Sequence, residues 1–259
     1  MSSNNPLQGY WAGSGISRGD TVLIHSSMKR TFLNISRKGY KPSSEIIIDS
    51  LLEEVGSKGT VLFPLFNFDF PDTKKFSLIS TPSQMGKITE DARRNYLAAR
   101  TGHPIYSFLA IGELASLFSS INNISGYGDD SPFAKLREIG GKIAVVDLDD
   151  QNSMTFYHHV EEVYGVDYRY HKEFYGEYED LNGEITERKY SLFVRDLTRG
   201  VVTDVNRMGE ILWEEGIYAG NRPGIKNGMR TVLAEELFQR TMKEIREGRA
   251  EETLFSISG

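Results

Sequence analysis

His158 and Glu161, three residues apart in Met154-Thr155-Phe156-Tyr157-His158-His159-Val160-Glu161-Glu162, have the types and spacing needed to move a proton. Side chains at i and i+3 share a helix face, so a titratable imidazole would stand beside a carboxylate able to fix its tautomer. The segment also permits a second pairing, because Glu162 lies three residues after His159. Adjacent helical residues point about 100° apart, so the two histidines cannot face one site together. Spacing alone leaves the pairing open. A neutral imidazole suits acyl transfer to an amine, since an ammonium has no lone pair and must first lose a proton. The tetrahedral intermediate then needs a donor for its oxyanion, commonly a backbone N–H or a hydroxyl at a strand end. Ser26, Ser27 and Thr155 are placed for that task. An adjacent His pair without His-Glu-x-x-His is a poor zinc chelate on a helix, so no metal is expected.

Strands alternating with helices must carry these residues. Thr21 to His25, Thr60 to Phe66 and Lys142 to Leu148 are short, apolar and rich in branched side chains, as buried strands are. Pro42 to Val55 reads as the helix after the first strand, with Ser43 or Ser44 as cap and Gly56 as stop. Helical patterns follow at Thr89 to Ala99 and Gly112 to Phe118, around a short apolar piece, Tyr106 to Ile111. Ser131-Pro132 marks another helix start, with Ser at the N-cap and Pro at the first helical position. The histidine helix then begins just past the third strand, where α/β proteins keep their chemistry.

Beyond it the pattern becomes antiparallel: Lys172 to Tyr178 and Glu187 to Val194 alternate around Asn182-Gly183, a hairpin turn pair. Helical patterns return at Val205 to Glu215 and Thr231 to Glu247. The expected fold is α/β, a mixed, mainly parallel sheet sandwiched by helices, with an antiparallel hairpin at about 172–195 appended. No repeat or linker divides the 259 residues, so one domain spanning 1–259 is expected, with the segment from Lys172 to Gly228 outside the core pattern.

The composition is that of a globular protein, 39% hydrophobic and 25% charged. The absence of Cys excludes disulfides and a cysteine nucleophile. A net charge of −6 without a long Lys/Arg block lacks the footprint of a nucleic-acid binder. No signal leader or long apolar run is seen, so a cytoplasmic protein with no membrane partner is expected.

Several segments, in the same order, resemble the aminoglycoside 3-N-acetyltransferase family, which is unrelated to GNAT acetyltransferases and moves acyl groups from coenzyme A to amino sugars. Thr155-Phe156-Tyr157-His158-His159-Val160-Glu161 is similar to its catalytic segment, and His25-Ser26-Ser27-Met28 to its His-x-Ser-Leu. Gly59-Thr60-Val61-Leu62-Phe63-Pro64 resembles its second strand, and Thr81 to Gly86 with Glu90 and Arg93 its Pro-x-x-Met-Gly region. Arg100-Thr101-Gly102-His103-Pro104 is similar to Arg-Ser-x-His-Pro, and Asp130-Ser131-Pro132-Phe133 to its Ser-Pro helix start.

The resemblance implies that His158 is the base and Glu161 its orienter. It implies that Ser26, Ser27 and Ser131 contact acyl-CoA, a helix start being a natural phosphate site, and Thr155 is placed for coenzyme contact as well. Asn67 and Asp69, after the second strand, are the expected acceptor contacts there. The family's aliphatic residue after the His and its Ala before the Glu are replaced by His159 and Val160. The last third, with Asn206-Arg207-Met208-Gly209-Glu210 and Gly220-Asn221-Arg222-Pro223-Gly224, is more similar to a branch acting in surface-polysaccharide pathways. That branch acylates nucleotide-linked sugars such as dTDP-3-amino-3,6-dideoxyhexose. Arg195, Arg207, Arg222 and Lys226 would then meet the pyrophosphate. The alternative acceptor is an aminoglycoside antibiotic. The partners implied are acyl-CoA, carrying acetyl or a longer or hydroxylated acyl group, an amino sugar and a second copy of the chain.

Overall fold

The computed structural model describes residues 5–7, 9–96, 99–224 and 228–258. Its strands are β1 (Thr21–Ser26), β2 (Thr60–Pro64), β3 (Lys75–Ser77), β4 (Phe108–Gly112), β5 (Lys142–Val146) and β6 (Arg169–Glu179). They continue as β7 (Ile185–Arg195), β8 (Val201–Thr203), β9 (Ala219–Gly220), β10 (Met229–Leu233) and β11 (Phe255–Ile257). The central sheet runs β4-β2-β1-β5-β10-β9. Its middle strands β2, β1 and β5 are parallel, with Leu23 opposite both Leu62 and Ile143. β4, β10 and β9 add antiparallel pairings at the flanks.

Because strand side chains alternate between faces, β1 divides its residues between two apolar layers. Val22 and Ile24 join Val61, Phe63, Ala144 and Val146 on one face. The helices Lys29–Arg37, Ser44–Val55 and Lys87–Asn95 cover that face through Ile35, Ile47, Leu51 and Ala92. Leu23 joins Leu62, Ile143 and Val145 on the other face, under Phe133, Phe156, Met208 and Leu237. Those four side chains belong to the helices Pro132–Glu138, Phe156–Tyr164, Asn206–Glu214 and Ala234–Arg246. His25 has the parity of Leu23, which turns it toward the layer holding the histidine helix. Ser43 caps its helix by accepting from Ile46 N, and Ser131 caps its own by accepting from Ala134 N.

Three expectations need correction. A helix, Lys29–Arg37, follows β1 directly, ahead of the one expected from Pro42. The segment read as helical from Thr231 is strand β10 up to Leu233, with Thr231 opposite Ala144, and the helix starts at Ala234. β-branched Thr231 and Val232 fit beside a buried strand, whereas Glu235 and Glu236 favour the first turn of a helix. The hairpin is longer than the alternation suggested, β6 and β7 pairing from Arg169↔Arg195 to Glu179↔Ile185, with β3 added in parallel. It is also not outside the core: Phe174, Tyr178, Tyr190, Leu192 and Phe193 are buried in the same layer as the histidine helix. Among the described residues, no helix is long and apolar enough to cross a membrane.

Candidate active site

Because β1, β2 and β5 are parallel, their carboxyl ends lie side by side, and the segments leaving them converge. A cavity of about 290 Å³ opens there. Its wall comprises His25 from β1, Phe66 and Phe68 after β2, Tyr106 before β4, Asp150 to Thr155 after β5, and His158. Larger depressions lie elsewhere among the described residues, about 430 Å³ beside Arg30 and Asp147, about 1200 Å³ beside the amino end of β2 and about 310 Å³ beside Ser77 and Glu179. None of these three is lined by a histidine, so the smaller cavity is the better candidate for proton chemistry.

His158 and Glu161 sit one turn apart on Phe156–Tyr164, and the His158 Nδ1–H donates to Glu161 Oε2 at 2.8 Å. That bond fixes the tautomer and leaves Nε2 with its lone pair. The carboxylate is buried and has two more partners: Arg169 Nε lies 2.8 Å from Oε2, and the Tyr168 hydroxyl donates to Oε1 at 3.0 Å. Arg169 is itself held by the Phe193 carbonyl and Thr203 Oγ1. Burial draws the His158 pKa below its ordinary value, with the Arg169 charge acting in the same direction and the Glu161 hydrogen bond opposing both. Burial pushes Glu161 upward, yet the Arg169 charge and the bonds from His158 and Tyr168 outweigh it, and the carboxyl stays below its usual range. A neutral imidazole is thus paired with an ionised carboxylate.

The neighbouring His159 turns away and is buried, its Nδ1 2.7 Å from the Tyr127 carbonyl. Among the described residues no group of three His, Asp or Glu side chains could hold a metal ion.

Thr155 lines the cavity with His158. Ser26 ends β1 opposite Val146, with the parity of Val22 and Ile24 and so on the other face from His25, and Ser27 N donates to the Val146 carbonyl; neither serine lines the cavity. Ser131 is buried as a helix cap and does not line it. Asn67 is turned away between the cavity-lining Phe66 and Phe68: its Nδ2 donates to the Pro82 carbonyl and its Oδ1 accepts from Asp69 N. Asp69 accepts from Gln84 Nε2. Arg207 is exposed and 3.6 Å from Glu214, and Arg222 donates to Glu210 at 2.9 Å; neither lines the cavity. Arg195, exposed at the end of β7, is close enough for its charge to help lower the His158 pKa. Lys226 lies outside the described residues.

Sequence reasoning missed a buried network behind the cavity. Asp150 accepts from the Tyr157 and Tyr218 hydroxyls, each at 2.7 Å, and pairs with Arg230. Gly209 abuts this carboxylate, where an added Cβ would stand 2.5 Å from its carbon. Asn206 accepts from Gln151 N, so the Asn206–Glu214 helix is clamped onto the loop that forms the cavity wall. The Asn206-to-Gly209 motif is accounted for by this close docking.

The family model for aminoglycoside 3-N-acetyltransferase matches residues 23–245. Aminoglycoside N(3)-acetyltransferase VII of Streptomyces paromomycinus is 29% identical over 168 residues, covering 57% of this chain and 56% of that protein. The aminoglycoside N(3')-acetyltransferase-like protein YokD of Bacillus subtilis is 25% identical over 167 residues, covering 55% and 59%. The chain therefore aligns with little more than half the length of these relatives. The crystal structure of aminoglycoside acetyltransferase AAC(3)-Xa superposes with a TM-score of 0.75 at 23% identity, over 93% of this chain and 92% of that one. AAC-IIIb in its binary complex with CoASH gives 0.72 at 22%, over 91% and 93%. At those identities the likeness speaks to the fold. With the matched residues running from β1 into the last long helix, this chain belongs to the aminoglycoside 3-N-acetyltransferase family.

Proposed function

We propose that the chain is an acyl-CoA-dependent N-acetyltransferase that acts on the amino group of an amino sugar, with residues 1–259 forming one catalytic domain. The observation that carries this reading is the 2.8 Å bond from His158 to a Glu161 held ionised by Arg169, beside a cavity at the carboxyl ends of the parallel strands. The His158 Nε2 takes the proton as the amine attacks the thioester carbonyl, and Glu161 steadies the imidazolium that forms. The proton then passes to the departing thiolate. Thr155 is the predicted hydroxyl that lines this cavity for the acyl-CoA arm, and Ser26, Ser27 and Ser131 are candidates by resemblance alone. Family membership, together with a relative in complex with CoASH and another, AAC-VIa, bound to sisomicin, favours an aminoglycoside as acceptor.

A nucleotide-linked amino sugar destined for surface polysaccharide is the second reading, and one observation favours it. The carboxylate in the cavity wall, Asp150, is already matched by Arg230, Tyr157 and Tyr218, while Arg169 and Arg195 add positive charge near His158. A polycation gains little there. On this reading Arg207 and Arg222 exchange their glutamate partners for the pyrophosphate, and Asn67 and Asp69 act by holding the Phe66–Phe68 loop. Thiol release from acetyl-CoA, measured against a panel of aminoglycosides and nucleotide-linked amino sugars, tests both readings. Release with neither class would end the proposal.

A further inference from the structure

His25 is the second histidine in the wall of the cavity. It is 5% exposed, and among the described residues its Nε2 has no hydrogen-bond partner. Interiors rarely leave a buried ring nitrogen unmatched, because desolvating it is costly unless another group replaces the lost water. The other polar groups of this wall are largely occupied. Gln151 donates to the Thr203 carbonyl and accepts from Val205 N, Ser153 donates to the Asp149 carbonyl, and Asp150 is held by Arg230 and two tyrosines. Burial lowers the His25 pKa to about 4, so the ring is neutral wherever His158 can act as a base. A neutral ring still donates one N–H, and next to a developing negative charge it needs no proton of its own to lose. Its position is dictated by the sheet: β1 is the middle parallel strand, and His25 faces the layer from which His158 approaches.

We propose that His25, as its Nε2–H tautomer, is a catalytic residue that donates a hydrogen bond to the thioester carbonyl oxygen and to the oxyanion it becomes. The inference rests on the acyl-transfer reading above. The amine nitrogen forms a bond to the carbonyl carbon and the C–O π pair moves onto oxygen, held by His25 Nε2–H. The amine proton passes to His158 Nε2. When the oxyanion pair returns to carbon, the C–S bond breaks and the thiolate leaves with the proton from His158. His25 neither gains nor loses a proton in the cycle.

The test compares wild type, His25→Leu and His25→Gln for kcat, pH profile and Tm. His25→Leu removes both the donor and an unmatched buried polar atom, so kcat should fall about 10²- to 10³-fold while Tm holds or rises. The acid limb of the profile, set by His158, should not move, and His25→Gln, which keeps an N–H, should recover part of the rate. Unchanged kcat in His25→Leu overturns the proposal, as does a parallel loss of rate and Tm that Gln does not relieve. A second measurement is independent of turnover. ¹⁵N NMR of imidazole-labelled protein is recorded with an acetyl-CoA analogue in which a methylene replaces the thioester sulfur. A shift of the His25 Nε2 resonance supports the contact, and a resonance unmoved at the highest analogue concentration overturns it. Absence of thiol release by wild type with every acceptor removes the acyl-transfer reading, while the NMR result still decides whether His25 meets the carbonyl.

Discussion

Arg169 and His158 meet on one oxygen: Glu161 Oε2 takes the guanidinium Nε and the imidazole Nδ1, each at 2.8 Å. On the proposed mechanism the carboxylate serves two cations in turn, a permanent one and one that exists only while His158 holds the substrate's proton. Arg169 keeps Glu161 ionised and at the same time makes protonation of His158 in the free enzyme less favourable.

Replacing Arg169 with Met should therefore move the acid limb of kcat/KM to higher pH, because a neighbouring positive charge is lost. The sign follows from the base being active when neutral: the rate is full above its folded pKa and is lost as pH falls through it. Burial and Arg169 both hold that pKa below 6.5, and removing the cation lets it rise. A pH–rate profile that stays in place, or shifts to lower pH, would show that Arg169 does not act through His158.

Stability should fall on mild acidification. His25, His103 and His159 are buried, and burial lowers their pKa values to about 4, 3 and 4. Below 6.5 the unfolded chain binds protons that the folded chain refuses, so stability rises with pH across this window and is lost going down. At pH 5 each group costs on the order of 2 kcal/mol relative to neutral pH. Glu90 and Glu244, both at about 2 because of hydrogen bonds from Arg93 and Arg249, add a further loss only below 4.5. Urea unfolding at pH 7, 5 and 4 should show a decline that steepens below 4.5; a flat profile from pH 7 to 5 would contradict the histidine assignment.

Gly209→Ala should destabilise by about 1 to 3 kcal/mol, the usual cost of forcing an extra methyl into a filled interior. The new Cβ would meet the Asp150 carboxylate at 2.5 to 2.8 Å, and that carboxylate is fastened by Arg230 and two tyrosines. Because Asp150 opens the cavity-forming loop, KM for the acceptor should rise with the fall in Tm. A variant with wild-type Tm and KM would mean the helix docks more loosely than described.

Arg207→Ala and Arg222→Ala should change stability by less than about 1 kcal/mol, since both ion pairs are solvent-exposed. If the acceptor carries a pyrophosphate, KM for a nucleotide-linked sugar should rise by the equivalent of about 1.5 to 3 kcal/mol, the worth of a charged hydrogen bond, with little effect on acyl-CoA. Wild-type KM in both variants for every nucleotide-linked sugar would remove that second reading.

What could be read from the sequence was local. Caps at Ser43 and Ser131, the apolar runs of β1, β2 and β5, and the i+3 spacing of His158 and Glu161 each lie within a few residues, where periodicity and turn chemistry operate. The partners that complete the site do not. Arg230 reaches Asp150 across 80 residues, and Thr203 meets Arg169 across 34, with no spacing rule to announce either. Thr231 to Leu233 misled because Val232 and Leu233 extend the apolar period of the following helix; pairing with β5 across the sheet decided their conformation. His25 carried a usable signal, a polar ring ending an apolar strand at the middle of a parallel sheet, but only the two-faced layering shows that it turns toward His158.

The most direct measurement is thiol release from acetyl-CoA by wild type and His158→Asn, with the same amino-sugar acceptor and with acetyl-CoA binding followed by calorimetry. Loss of a general base should lower kcat by about 10² to 10⁴ while leaving acetyl-CoA affinity nearly intact. Turnover by His158→Asn at the wild-type rate would contradict the assignment of His158 as the base.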